Sequence, residues 1–365
     1  MKKTFLYFSF FVLFGNAQAQ INTPVYSFFT AGHTYGSPMN PHYGLHYPFV
    51  NYFPSIENYS NIEIGFLTGD VVVYSTAAYW DMAQIDIDKL NIPVHIAAGN
   101  HDMGSEFVSR FGDYYFSFIQ HNDLFIVLTP GLGSWNINGA QLEFLTNTLD
   151  SNYANVNNIF IFMHELIWWA PDNEYQNIKI NYEPHYPGST NFDIVVKPLL
   201  LSFPNKITIY AGDLGATNGV SAFMYHSFDN ITLIASGMGG GIQDNIIVTE
   251  VYEDSVYYNL VAINGNDPKV LGELTDYSIY SSVELIASNQ IQIYPNPCNG
   301  YFKVKNKSTA DLKMDMYNVY GQLILSKPIS ENSINKVDLP GISPGIYFIQ
   351  LFGEDIYFEQ KLLVQ

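Results

Sequence analysis

Through the first two thirds of the chain, apolar residues come in short runs that break off into glycine, histidine or aspartate. Pro24–Thr30, Ile62–Thr68, Pro93–Ala98, Ile159–Met163 and Lys206–Tyr210 read as buried strands of this kind. Between them the spacing changes to that of helices. Ala77, Trp80, Ala83, Ile87 and Leu90 predict a helix over Thr76–Leu90, Leu142, Leu145 and Leu149 one over Gly139–Leu149, and Phe192–Leu201 is a third. Two strands flanking Gln120–Asp123 predict a hairpin, and Ser221–Ile263 reads as strand throughout, interrupted only by "SGMGGG". Strands alternating with helices predict an α/β domain over residues 20–263.

Beyond a linker expected at 264–290, residues 291–365 change character. "IQIYPNP", "YFKVKN", "LKMDMYNVYG", "QLILSKPI", "GIYFIQLF" and "YFEQKLLVQ" are strand-length segments with period-two alternation, separated by Asn, Gly and Pro. They predict a small all-β sandwich. "YPNPCNG", "YNVYGQLI" and "LPGISPGIYFIQL", followed by the basic Lys361, resemble the C-terminal sorting domain of type IX secretion cargo. That resemblance implies export, with the secretion machinery as a partner. At the other terminus, residues 1–19 combine two lysines, an apolar run from Phe5 to Phe14 and the small-residue exit Ala17-Gln18-Ala19, the three parts of a secretory signal. The protein is therefore expected to be secreted or attached to the cell surface. No later run is long enough to span a bilayer, so no transmembrane segment is expected.

A formal charge of −19 without long like-charge blocks argues against nucleic acid as a partner. Cys298 is the only cysteine, so no intrachain disulfide can form and folding rests on packing.

Candidate chemistry gathers where strands end. "TAGH" delivers His33, "LTGD" Asp70, "AAGNHD" Asn100, His101 and Asp102, "FMH" His164, and "AGD" Asp213. The C-terminal ends of strands are where open α/β sheets bind ligands. In order and spacing these motifs resemble the calcineurin-like metallophosphoesterases over roughly residues 24–262. The resemblance implies a four-layer α/β/β/α sandwich and a divalent metal cofactor (Mn, Mg, Ca, Fe or Zn). By that resemblance His33, Asp70, Asn100, His164 and Asp213 are metal ligands, and His101 and Asp102 are catalytic, with His101 acting at the leaving group.

Two departures change the implication. Ala31 stands where the family's first carboxylate belongs, and Asp213 and Gly215 replace its final histidine pair. One metal position keeps Asp70, Asn100, His164 and Asp213, while the other keeps only Asp70 and His33. One ion is therefore expected rather than two, unless His42, His46 or Asp244 moves in. A carboxylate at 213 hardens the site toward Mn, Mg or Ca.

The implied function is a secreted phosphoesterase that hydrolyses a phosphomonoester or phosphodiester, either a small molecule or a glycan-linked phosphate ester. The alternative is a non-catalytic surface protein that binds glycan or phosphate through the same cleft. Trp168 and Trp169, in the irregular segment 166–188, either offer ring faces to a sugar or pack beneath it as a satellite core.

Overall fold

The computed structural model describes residues 23–365 except 38–42, 60, 182, 184–185, 218, 240, 265–273, 275–283, 286–290, 319–321 and 354–355. The signal segment 1–19, most of the 264–290 linker, and His42 lie outside the described residues.

In chain order the elements up to residue 262 are β1 (Tyr26–Ala31), α1 (Tyr47–Glu57), β2 (Ile62–Thr68), α2 (Ala77–Ile87), β3 (Val94–Ala97), α3 (Ser105–Phe111), β4 (Phe116–Gln120), β5 (Asp123–Val127), α4 (Gly139–Asn152), β6 (Asn158–Phe162), α5 (Lys197–Leu201), β7 (Lys206–Ala211), β8 (Phe223–Phe228), β9 (Ile231–Ser236), β10 (Asn245–Val251) and β11 (Val256–Ala262). They make two mixed sheets, ordered β11-β10-β1-β2-β3 and β4-β5-β6-β7-β9-β8. Within the first, β1, β2 and β3 are parallel; within the second, β5, β6, β7 and β9 are.

Alternation along each strand sends one set of side chains between the sheets. Phe28, Phe66, Phe125, Phe160, Phe162 and Tyr210 meet there in one core, with Phe66 and Phe162 stacked at 3.7 Å between ring centroids. The opposite faces are covered by short helices. Phe49 and Phe53 of α1, Trp80, Ala83 and Ile87 of α2, and Phe107 of α3 close over the first sheet. Leu145 and Leu149 of α4 close over the second, together with Trp168 and Trp169.

The fold class expected from the sequence is corrected here. Strand outweighs helix 36 % to 21 %, the strands divide among several small sheets, and the chain is predominantly β rather than an α/β metallophosphoesterase-like four-layer sandwich. The reason is the slightness of the helices. α3 has seven residues and α5 a single turn, while the antiparallel strands β8, β10 and β11 add sheet with no helix between them. Helical spacing marked α2 and α4 but not α1 or α3. The predicted third helix divides into a π-turn at Phe192–Val196 followed by α5. The hairpin falls where predicted: His121 and Asn122 take φ of 50° and 62°, the left-handed pair of a two-residue turn between β4 and β5.

Residues 284–365 contribute β12 (Glu284–Leu285), β13 (Ile291–Tyr294), β14 (Tyr301–Asn306), β15 (Leu312–Asn318), β16 (Leu323–Ile329), β17 (Ser333–Asp338), β18 (Gly345–Phe352) and β19 (Ile356–Val364). These form sheets β12-β19-β18-β15-β16 and β13-β14-β17. The two share one apolar core around Phe302, Met314, Met316, Ile349 and Leu362, in which the free Cys298 is buried.

Candidate metal centre

The parallel strands end on the same side of the molecule, and their tips fold inward onto one another. Glycine makes this possible. Gly212 follows β7 so closely against Thr68 at the end of β2 that a Cβ would collide with the Thr68 carbonyl, joining the tips of the two sheets. A Cβ on Gly99 would strike the Asp70 carboxylate and come within 2.9 Å of His164 Cδ2. The glycine before His33, Asp70, Asn100 and Asp213 is thus a packing requirement, and it lets carboxylates and imidazoles from different strands approach.

Asp70, His164 and Asp213 each offer a ligand atom within 4.8 Å of the others, and all three are buried. His164 Nε2 lies 3.4 Å from Asp70 Oδ1 and 3.7 Å from Asp213 Oδ1. His33 Nε2 approaches the other Asp70 oxygen at 3.6 Å. These separations exceed hydrogen-bond length, and neither imidazole Nε2 has a hydrogen-bond partner although both are fully buried. The opposite ring nitrogens are anchored: His33 Nδ1 lies 3.1 Å from the Met238 carbonyl and His164 Nδ1 3.0 Å from the Thr68 carbonyl. Each carbonyl needs a donor, so Nδ1 carries a proton, and in the neutral ring Nε2 presents a lone pair toward Asp70. Orphaned lone pairs facing a buried carboxylate fit a cation between them, and the donor set of one imidazole and two carboxylates suits a divalent metal.

Backbone geometry adds to this. His33 and Asp70 have φ of 54° and 52°, left-handed values for non-glycine residues outside any hairpin, each held by the surrounding tips. Burial opposes charge on Asp70, but His164, His33 and His101 override it and hold the carboxyl far below its usual range. Burial likewise opposes an imidazolium at His164, yet Asp70 and Asp213 raise its pKa well above the ordinary value; the same two carboxylates would draw a metal cation to Nε2 in place of that proton. At His33 burial prevails and the pKa is lowered.

The remaining predicted residues divide. Asn100 is exposed and lines a cavity of about 300 Å³ together with Asp213. His101 is half-buried, with Nδ1 2.8 Å from the Val73 carbonyl and its backbone N–H donating to Asp70 Oδ1 at 3.3 Å. Asp102 is not available for the catalytic part expected of it. It is fully buried, and its oxygens accept from the backbone N–H groups of Val71, Val72 and Gly99 at 2.8, 3.1 and 2.9 Å. Burial and the charge of Asp70 push its carboxyl up to about 7, against the pull of the Gly99 and Val72 donors. It is a positioning residue that ties the Asp70 loop to the Asn100 loop.

His46 and Asp244 do not move in as extra ligands. They pair with each other at 2.9 Å, and Asp244 also accepts from Gly239 and Gly241 N–H, which draws the glycine-rich loop inward so that Met238 reaches His33. Ala31 is buried among apolar side chains, and Gly215 packs against Gly237. Trp168 and Trp169 are buried, Trp169 Nε1 donating to the Ile178 carbonyl, so neither offers a face to a sugar.

Sequence reasoning missed Glu165 and Trp135, which line the same cavity as Asn100 and Asp213. Glu165 is buried, its Oε2 has no hydrogen-bond partner, and burial raises its pKa to about 7. A lone carboxylate inside the apolar run "IFIFMHELIWW" was the available signal.

Residues 292–365 match the family model described as the secretion system C-terminal sorting domain. This domain marks proteins exported by the type IX route and then attached to the cell surface or released, and it makes the secretion machinery a partner. No helix among the described residues is long and apolar enough to cross a membrane. No curated protein matches the chain. Among solved structures, a DUF3244 family protein with an immunoglobulin-like β-sandwich fold from Bacteroides vulgatus aligns at 12 % identity with a TM-score of 0.19, covering 22 % of this chain and 88 % of that one. A likeness at that level carries no argument.

Proposed function

We propose that the exported chain is a metal-dependent phosphoester hydrolase acting on a phosphomonoester or phosphodiester. One observation carries the reading: Asp70, His164 and Asp213 converge within 4.8 Å, fully or almost fully buried, with the His164 lone pair left open. A divalent cation bound there would supply Lewis acidity toward phosphoryl oxygen and lower the pKa of bound water. The chain's own residues supply the rest. Asp70, His164 and Asp213 would hold the cation, and Asn100 lines the adjoining cavity with Asp213. His33 adds a second lone pair beside Asp70. His101, its Nδ1 fixed on Val73, has Nε2 free to carry a proton to a departing oxygen, while Asp102 holds the loop that positions it.

Phosphate binding without turnover is the second reading. It is favoured by the surroundings of His33, where Ala31 and Gly215 bring no ligand.

The test is metal content and turnover of p-nitrophenyl phosphate and bis(p-nitrophenyl) phosphate by the Mn²⁺-loaded chain. Asp70→Asn should lose both metal and turnover. His101→Asn should keep the metal and lose about 10²–10⁴-fold in rate. Metal bound by the wild type with no turnover of either ester selects the binding reading, and a wild type that binds no divalent cation overturns both.

A further inference from the structure

The cavity beside the metal ligands has an asymmetric wall. Trp135, Met103 and Pro187 make it apolar, Asn100 and Asp213 lead to the ligands, and Glu165 sets a second carboxylate into it. Glu165 is 2 % exposed, its Oε1 rests against Gly131 of the same wall, and Oε2 has no partner. An unpaired buried carboxylate oxygen is costly to keep unless an incoming group satisfies it. Among the described residues lining the cavity none is Lys, Arg or His, so the missing donor is not supplied by the wall itself. The adjoining wall is strained as well: Ser134 and Trp135 both take left-handed φ, 54° and 64°, which holds the indole at the cavity.

From this geometry we infer that Glu165 is a specificity residue for a primary ammonium on the alcohol side of the phosphoester, the substrate class being phosphate esters of amino alcohols. A primary ammonium donates the hydrogen bond Oε2 lacks, neutralises the second carboxylate, and lies beside an indole, the aromatic ring that best tolerates a cation. A neutral alkyl group would leave Oε2 unpaired, and a second phosphate would meet two carboxylates.

The inference rests on the phosphoester reading, and the experiment separates the two. The full chain is titrated with 2-aminoethylphosphonate and with propylphosphonate, its isostere without the ammonium, in Mn²⁺ and again in EDTA. The wild type should bind the aminated phosphonate at least about tenfold more tightly. Glu165→Gln should erase that preference by weakening the aminated ligand alone, leaving propylphosphonate within about twofold of wild type. Glu165→Asp, which keeps the charge but shortens the reach, should retain part of the preference. Equal affinities in the wild type, equal losses of both ligands in Glu165→Gln, or no binding of either phosphonate would overturn the assignment. Equal but Mn²⁺-dependent binding would sink Glu165 and spare the metal site. A preference for the amine that is indifferent to EDTA would spare Glu165 and sink the metal site.

Discussion

Asp70 and Asp123 are both almost fully buried aspartates at strand ends, and they stand at opposite ends of the same pair of sheets. Asp123, at the start of β5, is saturated. Tyr26 donates to one oxygen at 2.5 Å, and the backbone and side-chain N–H groups of Asn158 donate to the other at 2.8 and 2.9 Å. Asp70, just past β2, has a backbone N–H at 3.3 Å and two imidazole lone pairs that point at it without bonding. Burial is the same; satisfaction is not. A buried polar group completed by its own chain is accounted for by stability, whereas one that leaves neighbouring atoms open is accounted for by something the chain receives. Asp102, in the ligand loop but bonded like Asp123, belongs with the structural kind.

The sharpest way to break the comparison is at Asp102. If its function is to bind three backbone donors, Asp102→Ala should destabilise the protein by about 3–5 kcal/mol in urea unfolding, because all three N–H groups are left buried and unmet. A loss below about 1 kcal/mol would return Asp102 to the functional class.

Metal should stabilise one end of the sheets and ignore the other. At Mn²⁺ a hundredfold above its dissociation constant, the wild type and Tyr26→Phe should each gain about 2.7 kcal/mol, and Asp70→Asn none. An equal gain in Asp70→Asn would place the cation elsewhere.

His226, on β8 and 2.9 Å from the Tyr175 hydroxyl, provides a pH control outside both clusters. Burial, then Lys197, lowers its pKa from 6.5 to about 4. A depressed imidazole pKa means the unfolded chain takes up the proton first. Its contribution is therefore complete above pH 6.5 and is lost as pH falls toward about 4. Urea midpoints across that range should fall less steeply in His226→Gln, and parallel profiles would refute the assignment.

The saturated end should respond in stability alone. Tyr26→Phe removes one hydrogen bond to Asp123 and should cost about 1–3 kcal/mol without altering Mn²⁺ affinity. A change in affinity would mean the two ends are coupled.

Much of the molecule follows from local pattern. Alternation and apolar runs placed the strands, the C-terminal motifs identified the export domain, and polar residues at strand ends marked His33, Asp70, Asn100, His164 and Asp213, all but His164 directly after a glycine, because strand ends and tight turns are short-range features. Fold class was misjudged because spacing shows that a helix exists but not how little of the fold it makes up. The grouping of residues into one site came from motif resemblance and not from local pattern, for a different reason. Asp70, His164 and Asp213 are far apart in the chain and meet only because two sheets pack through Phe66 and Phe162 and close their tips over glycine. Whether an aspartate is saturated, like Asp102, or open, like Asp70, depends on which backbone groups arrive beside it. Only the tertiary structure decides that, since hydrogen-bond satisfaction is a property of the assembled neighbourhood and not of the residue.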